Sequence, residues 1–322
     1  MNTSLAGKRI LVTGGAGFIG TNTTLALLER GAEVTATLHE RPPMVQDERI
    51  TYIRGVDLRD PTQCNRVVEG MEMVVMAAAV TSGAGMIQSR PLIHLTPNVV
   101  MNSQMLEAAH ASGVGKFLFI SSNVVYPVSD QPMCEEDAGY DFFEKYHVAA
   151  WMKRFTETIC EMYANRVDPS MEVTIVRPGN AYGEFDDFEW ETSHVIPALI
   201  RKSVERHDPL EVWGDGKDIK DMIHVSDLAD GICRALESCR GFEIVNIASG
   251  QPVSIREILS TILDVDGYRD AKIITNPTKP SMIPKRLIAV DKARELLGFQ
   301  AKTSLEEGLR RTIQWYRNNR AA

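Results

Sequence analysis

Short apolar runs alternate with longer stretches of helical period through the first half of the chain. Arg9-Ile10-Leu11-Val12-Thr13 reads as a strand. From Gly17 to about Arg30, apolar Ile19, Leu25, Leu27 and Leu28 recur at helical spacing, and Gly31 stops the helix. Further strands are predicted over Glu33 to Leu38, Thr51 to Arg54, Met73 to Ala77, Lys116 to Ile120 and Glu172 to Val176. Helices are predicted from about Asn98 to Ala111 and from the neighbourhood of Tyr146 to about Asn165. Strands that alternate with helices predict an α/β fold with a doubly wound parallel sheet covered on both faces.

Beyond Pro178 the alternation breaks. Glycine and acidic residues interrupt the stretch from Gly179 to Thr192, which reads as a substrate loop. Helices are expected over Val195 to about Arg206, Ser226 to Leu236, Ser254 to Leu263 and Ser304 to about Arg317. A buried strand is expected from Glu243 to Ala248, and a Pro-rich loop from Pro277 to Pro284. The pattern predicts a large first domain over residues 1–178, rejoined by 223–250. A smaller C-terminal α/β lobe, for substrate, is expected from 179–222 and 251–322.

A chain of 322 residues is long enough for that arrangement. Its net charge of -8 argues against a nucleic-acid partner, which needs a local excess of Lys and Arg. An anionic small ligand held by a few placed cations remains compatible with it. The five cysteines (Cys64, Cys134, Cys160, Cys233, Cys239) form no CxxC pair, and no His cluster has zinc spacing. No metal site is therefore expected, and the thiols read as reduced, which points to the cytoplasm. The N-terminus enters the first strand without a signal-peptide apolar region, and the longest apolar run, Met73 to Val80, is too short to cross a bilayer. A soluble protein without a membrane partner is expected.

The stretch Thr13-Gly14-Gly15-Ala16-Gly17-Phe18-Ile19-Gly20 lies between the first predicted strand and helix. Glycines at 14, 17 and 20 allow a sharp turn, close approach of backbone to a pyrophosphate, and tight packing of helix on sheet. The helix N-terminus then offers free N–H groups to the anion. A plain tight turn would also account for the glycines, but the flanking strand and helix make a dinucleotide cradle.

The wording of this stretch resembles the extended short-chain dehydrogenase/reductase family, which includes the NAD-dependent epimerases, dehydratases and reductases of nucleotide sugars. The resemblance spans nearly the whole chain and implies a Rossmann domain. It adds Phe18 and Ile19 to the cradle, gives Asp57 and Leu58 to the adenine, and gives Ala78, within Ala77-Ala78-Ala79, to the ribose side. It also packs Pro178 on the nicotinamide. The second strand ends in Thr37-Leu38-His39-Glu40-Arg41, where the acid of NAD enzymes is absent or displaced to Glu40. His39 and Arg41 suit a 2′-phosphate, so NADP is favoured as cofactor and NAD remains open.

The family places a Ser or Thr four residues before the tyrosine of Ser122-Asn123-Val124-Val125-Tyr126, which selects Ser122 as the hydroxyl facing the reacting sugar oxygen. A Tyr-x-x-x-Lys pair should follow. Residues four apart share a helix face, and the ammonium lowers the phenol's pKa so that it exchanges a proton while hydride moves. Two registers are open. With Tyr146 as acid/base, Ala150 stands at the lysine position; with Lys153 as the lysine, Ala149 stands at the tyrosine position. A small residue commonly precedes the family's lysine, so Ala149 favours the first register and leaves Lys153 as an extra helix-surface cation. Tyr146 and Ala150 are accordingly given the catalytic and nicotinamide-ribose positions. Deliberate replacement of a lysine is the preferred account of Ala150. The others are a natural change with Lys153 reaching back, and a catalytically silent ligand-binding relative.

On the substrate side the resemblance implies that Asn180 contacts the sugar nucleotide. The run Ser193-His194-Val195-Ile196-Pro197-Ala198-Leu199-Ile200-Arg201-Lys202 resembles the GDP-L-fucose synthase-like enzymes, and Val212-Trp213-Gly214-Asp215-Gly216 does so less specifically. By position, His194 is implied as an acid for epimerisation beside a ketone. Lys202, Lys220 and Arg286 are implied for the diphosphate, and Trp213 for the nucleotide pocket. A solvated surface or a core aromatic would account for these four as well. Two residues depart from the pattern: Val124 stands where the epimerisation cysteine belongs, and Lys220 stands where an arginine would bind phosphate bidentately.

The expectation is an NAD(P)-dependent enzyme of an NDP-hexose, GDP-hexose first, with hydride passing at a ring carbon, most simply C4, and catalysis impaired by the vacant lysine position. A 4,6-dehydratase and a silent binder of cofactor and sugar nucleotide are the alternatives. A homodimer through the helices starting near Asn98 and Tyr146 is implied by the resemblance alone.

Overall fold

The computed structural model describes residues 4–81, 90, 92–279 and 283–319. At its centre lies a sheet of seven strands: β1 (Arg9–Thr13), β2 (Glu33–Thr37), β3 (Ile50–Ile53), β4 (Met73–Met76), β5 (Lys116–Ile120), β6 (Glu172–Pro178) and, from later in the chain, β10 (Phe242–Ile247). Their spatial order is β10-β6-β5-β4-β1-β2-β3, and every neighbouring pair is parallel. Successive strand residues point to opposite faces, and this sequence makes both faces apolar. Ile10, Val12, Leu118 and Ile120 enter one core, and Leu11, Phe117 and Phe119 enter the other.

Helices cover both faces. On the first pack α1 (Phe18–Glu29) and α6 (Val225–Ser238); on the second pack α2 (Pro61–Val68), α3 (Leu92–Ala111) and α4 (His147–Asn165). This is the doubly wound α/β architecture expected from the sequence. The direction of strand addition reverses between β1 and β4, and in such sheets the crevice for ligands opens there.

A second unit builds its own core. Three strands, β7 (Asn180–Tyr182), β9 (Ile219–His224) and β11 (Pro252–Ser254), form one small sheet, and β8 (Leu210–Trp213) pairs with β12 (Ile273–Asn276). Around them pack α5 (Val195–Val204), α7 (Ile255–Asp266) and α9 (Leu305–Asn319), which share a core of Ile196, Leu199, Ile258, Ile262, Leu309 and Ile313. A capping box opens α7, with Ser254 and Glu257 exchanging bonds to backbone N–H groups, and left-handed Gly267 closes it.

The elements differ from expectation in three instructive places. Helix α3 begins at Leu92, upstream of Asn98, and holds Pro97 inside it. A proline so near the start forfeits few backbone bonds, and Asn98 ties the helix to the chain leaving β4 by accepting from Val80 N (2.8 Å) and donating to Val80 O (2.9 Å). Helix α2 was not expected, although Asp60 caps it and Pro61 opens it. Finally α8 (Asp291–Leu297), inside the stretch assigned to the substrate lobe, packs Ala293, Leu297 and the following Phe299 into the first core. Residues 280–282 of the Pro-rich loop lie outside the described residues. Among the described residues no helix is long and apolar enough to cross a membrane, no cluster could hold a metal ion, and the five cysteines are free.

Candidate active site

A cavity of about 1890 Å³ lies over the carboxyl ends of the central strands and extends against α5, β8 and the start of β9. Every site residue expected from the sequence borders it except Ala150.

At one end is the glycine turn. Gly14 has φ +70, and a Cβ there would stand 2.8 Å from Ala78 Cα. A Cβ on Gly20 would stand 2.2 Å from Gly14 O, so helix and turn meet only because 20 is glycine. Thr13 Oγ1 accepts from the N–H groups of Ala77 and Ala78 at 3.1 Å each, which fixes the edge of the crevice. Gly17 caps α1 without a side-chain acceptor, so the first-turn N–H groups stay available to an anion. The turn, with Phe18 and Ile19 beside it, fits a dinucleotide pyrophosphate. At the end of the cavity expected to take adenine, Arg59 donates to both oxygens of Asp57, at 2.9 and 2.7 Å, and holds its carboxyl down at about 2. Leu58 is buried beside it, while His39 and Arg41 are exposed at the rim.

The middle of the cavity revises the reading of α4. Tyr146 ends a short 3-10 turn and caps the helix, so Ala149, Met152 and Lys153 are the α4 residues that border the cavity. Ala150 has no exposed surface and sits inside the packing. It does not border the cavity, whereas the expectation placed it at the lysine position beside the cofactor. Four-residue spacing fixes which residues face alike but not which face meets the sheet. That phase is set by burial of Ala150, Met152, Thr156, Glu157 and Cys160.

Lys153, expected at the surface, borders the cavity instead. Its Nζ donates to Ile120 O at 2.8 Å and lies 4.8 Å from the centre of the Phe119 ring. Burial pushes its ammonium down to about 8. Glu157, one turn on, is already engaged: it accepts from Ser121 Oγ (2.6 Å) and from Arg177 at 2.9 and 2.8 Å. Tyr146 behaves differently from a lysine-activated phenol. Burial pushes it up to about 12, and the charges that act on it are those of Arg286 and Asp218.

Towards the second unit, Ser122 Oγ accepts from Val124 N at 3.3 Å and Asn180 donates to Asp221 O at 3.0 Å. Pro178 lines the floor. Arg286 is 2% exposed; its Nη atoms donate to Pro127 O (2.7 Å) and Tyr126 O (3.0 Å), and its buried Nε has no partner among the described residues. Burial pushes its guanidinium down to about 10. Lys202 donates to Glu211 O at 2.7 Å, and Lys220 donates to Ile283 O and lies 3.6 Å from Asp218. Lys202, Lys220 and Arg286 thus border the cavity, as do Arg201 and Lys279. Trp213 is half-exposed there, with the Lys279 ammonium 5.4 Å from its ring centre. His194 Nδ1 lies 3.9 Å from Asp186 Oδ1, and this contact pushes the imidazole up. Asp186 is buried and went unnoticed in the sequence, where nothing distinguishes it from the other acids of its loop.

The comparisons show the family and the fold. Residues 10–248 match the NAD dependent epimerase/dehydratase family. The chain is 30% identical over 323 residues to a dTDP-4-dehydro-6-deoxy-D-allose reductase of Streptomyces sp, covering 97% of each chain. It is 32% identical over 254 residues to GDP-L-fucose synthase 1 of Arabidopsis thaliana, covering 76% of this chain and 77% of that one. It is also similar to the solved UDP-glucose 4-epimerase of Thermotoga maritima with UDP-glucose, with a TM-score of 0.86 at 26% identity over 96% of this chain and 99% of that one. The matched residues run from the first strand, before the glycine turn, to the end of β10, and the chain belongs to the NAD dependent epimerase/dehydratase family.

Proposed function

We propose that this chain binds NAD(P) and a nucleotide sugar together and moves hydride at a ring carbon of an NDP-hexose, C4 first, as an epimerase or reductase. The observation that carries this reading is the continuity of the cavity from the glycine turn, past Ser122 and Lys153, to Lys202, Lys220 and Arg286. A dinucleotide pyrophosphate and a sugar-nucleotide diphosphate would occupy its two ends, with the sugar between. Lys153 takes the lysine role and Ala149 stands where the phenol would be, so the group missing from the pair is a tyrosine. NADP is preferred, because His39 and Arg41 border the adenosine end and no acid closes β2. GDP-hexoses are the first substrates to try, given the likeness to GDP-L-fucose synthase, followed by dTDP-hexoses. Exposed Leu92, Trp151, Phe155 and Met162 on α3 and α4 support a homodimer through those helices.

A second reading, a binder of both ligands without turnover, is favoured by Ala149. One experiment separates the two. Wild type, Ala149→Tyr and Ala150→Lys are assayed with NADPH against GDP- and dTDP-4-keto-6-deoxyhexoses, and with NAD against UDP-glucose, while calorimetry reads binding. Turnover by wild type or by Ala149→Tyr supports the enzyme. Binding without turnover in any form supports the silent binder, and failure to bind either ligand sinks both.

A further inference from the structure

Lys153 and Ala149 stand one helical turn apart on α4, and both border the cavity that Ser122 also borders. At 149 the side chain ends at Cβ, which leaves open the space a larger side chain on that turn would fill. The Lys153 amine makes one hydrogen bond, to a backbone carbonyl, and no carboxylate among the described residues pairs with it. Glu157 on its own helix is taken up by Ser121, Arg177 and Arg154. Of the titratable groups that border the cavity on the elements packed against α4, His94 comes from α3, and Tyr146 faces the charges of Arg286 and Asp218. Burial holds the Lys153 ammonium at about 8, where both protonation states are populated near neutral pH, while Tyr146 at about 12 stays protonated.

We infer that Lys153 itself, in place of a tyrosine, exchanges the proton with the reacting sugar oxygen through the space left open at Ala149. This rests on the hydride-transfer reading given above. In the reducing direction a reduced dinucleotide, which the Gly14–Gly20 turn would hold, would supply the hydride to the carbonyl carbon as the C=O π pair moves onto oxygen. That oxygen takes a proton from one water bridging the space, and the water takes one from the Lys153 ammonium. The products are the hydroxyl, the oxidised dinucleotide and a neutral amine, which regains its proton from solvent.

The test uses the full chain with NADPH and dTDP- or GDP-4-keto-6-deoxyhexose as probes. Reduction requires the ammonium, so kcat is expected to be level at low pH and to fall as pH rises through about 8. Lys153→Arg keeps the charge but cannot release the proton, so kcat should fall by roughly 10²-fold or more with a smaller change in KM. Independently of turnover, isotope-labelled dimethyl-lysine NMR should show one amine, absent from Lys153→Arg, that titrates well below the surface lysines. A level pH profile, full kcat in Lys153→Arg, or a Lys153 amine that titrates with the surface lysines overturns the inference. So does turnover by Ala149→Tyr alone, which would leave the functional reading standing. No turnover in either form takes the inference down with that reading.

Discussion

A lysine at position 150 would have to carry its ammonium into a fully buried site, whereas a tyrosine at 149 would extend into open cavity. Ala150→Lys is therefore expected to destabilise the fold by roughly 3 kcal/mol, from overpacking and an unpaired charge, while Ala149→Tyr stays within about 1 kcal/mol. Urea midpoints of the two variants check this, and equal midpoints would reverse the assignment of faces on α4. The sequence showed that residues four apart align, and with two alanines in a row the small Ala149 led to the Tyr146–Ala150 register. The signal that resolves it is Glu157, whose carboxylate is fully buried against Arg177 at 2.8 Å. An acid so deeply placed marks the inward face, and Lys153 precedes it by one turn. Glu157→Gln should cost about 3–5 kcal/mol, because Arg177 would be left buried without its counter-charge. Calorimetric melting would show a loss near zero if the pair were dispensable.

Among the elements, those with a strong local signal were readable and those made by long-range pairing were not. β1, the glycine turn and α1 follow one another with period, breaker and cap in the expected order, and the structure keeps them within a residue or so. β7, β8, β9, β11 and β12 are three to six residues long and pair only with strands distant in the chain, so no local pattern announces them. The cradle gives the sharpest prediction at this level. In Gly20→Ala the new Cβ would collide with Gly14 O, so the turn or the helix must shift. NADPH affinity, followed by the cofactor's fluorescence, should weaken at least about tenfold, corresponding to roughly 1.4 kcal/mol. Unchanged affinity would mean that the turn does not hold the pyrophosphate.

For the molecule as a whole, Glu184 is a junction between three distant segments. Its backbone oxygen accepts from Asn22 in α1 (3.0 Å), and its carboxylate lies 3.2 Å from His224 Nε2 and 2.9 Å from Arg311 Nε in α9. Burial pushes that carboxyl up, but the contact with His224 and the charge of Arg311 outweigh it and hold the group at about 2. A carboxyl depressed in the folded state binds its proton more readily when unfolded. Its contribution is complete above the unfolded value of about 4.5 and is lost as pH falls towards 2. Glu184→Gln should be less stable than wild type at neutral pH and lose less stability between those limits; parallel acid-denaturation curves would contradict this. The sequence, which pointed to a glycine and acid-rich loop here, gave no hint of such a junction, because its partners are distributed along the whole chain.

The return of α8 to the first core, just before α9 rejoins the second, has a consequence for how this protein can be recombined. The chain passes from one core to the other after β6, comes back for α6 and β10, leaves for β11 and α7, and comes back once more. Neither half is a contiguous stretch that could be cut out and expressed alone. A chimera that takes its second core from a relative would need several crossovers. One of them would fall on each side of residues 291–299, and a single junction would leave both cores incomplete.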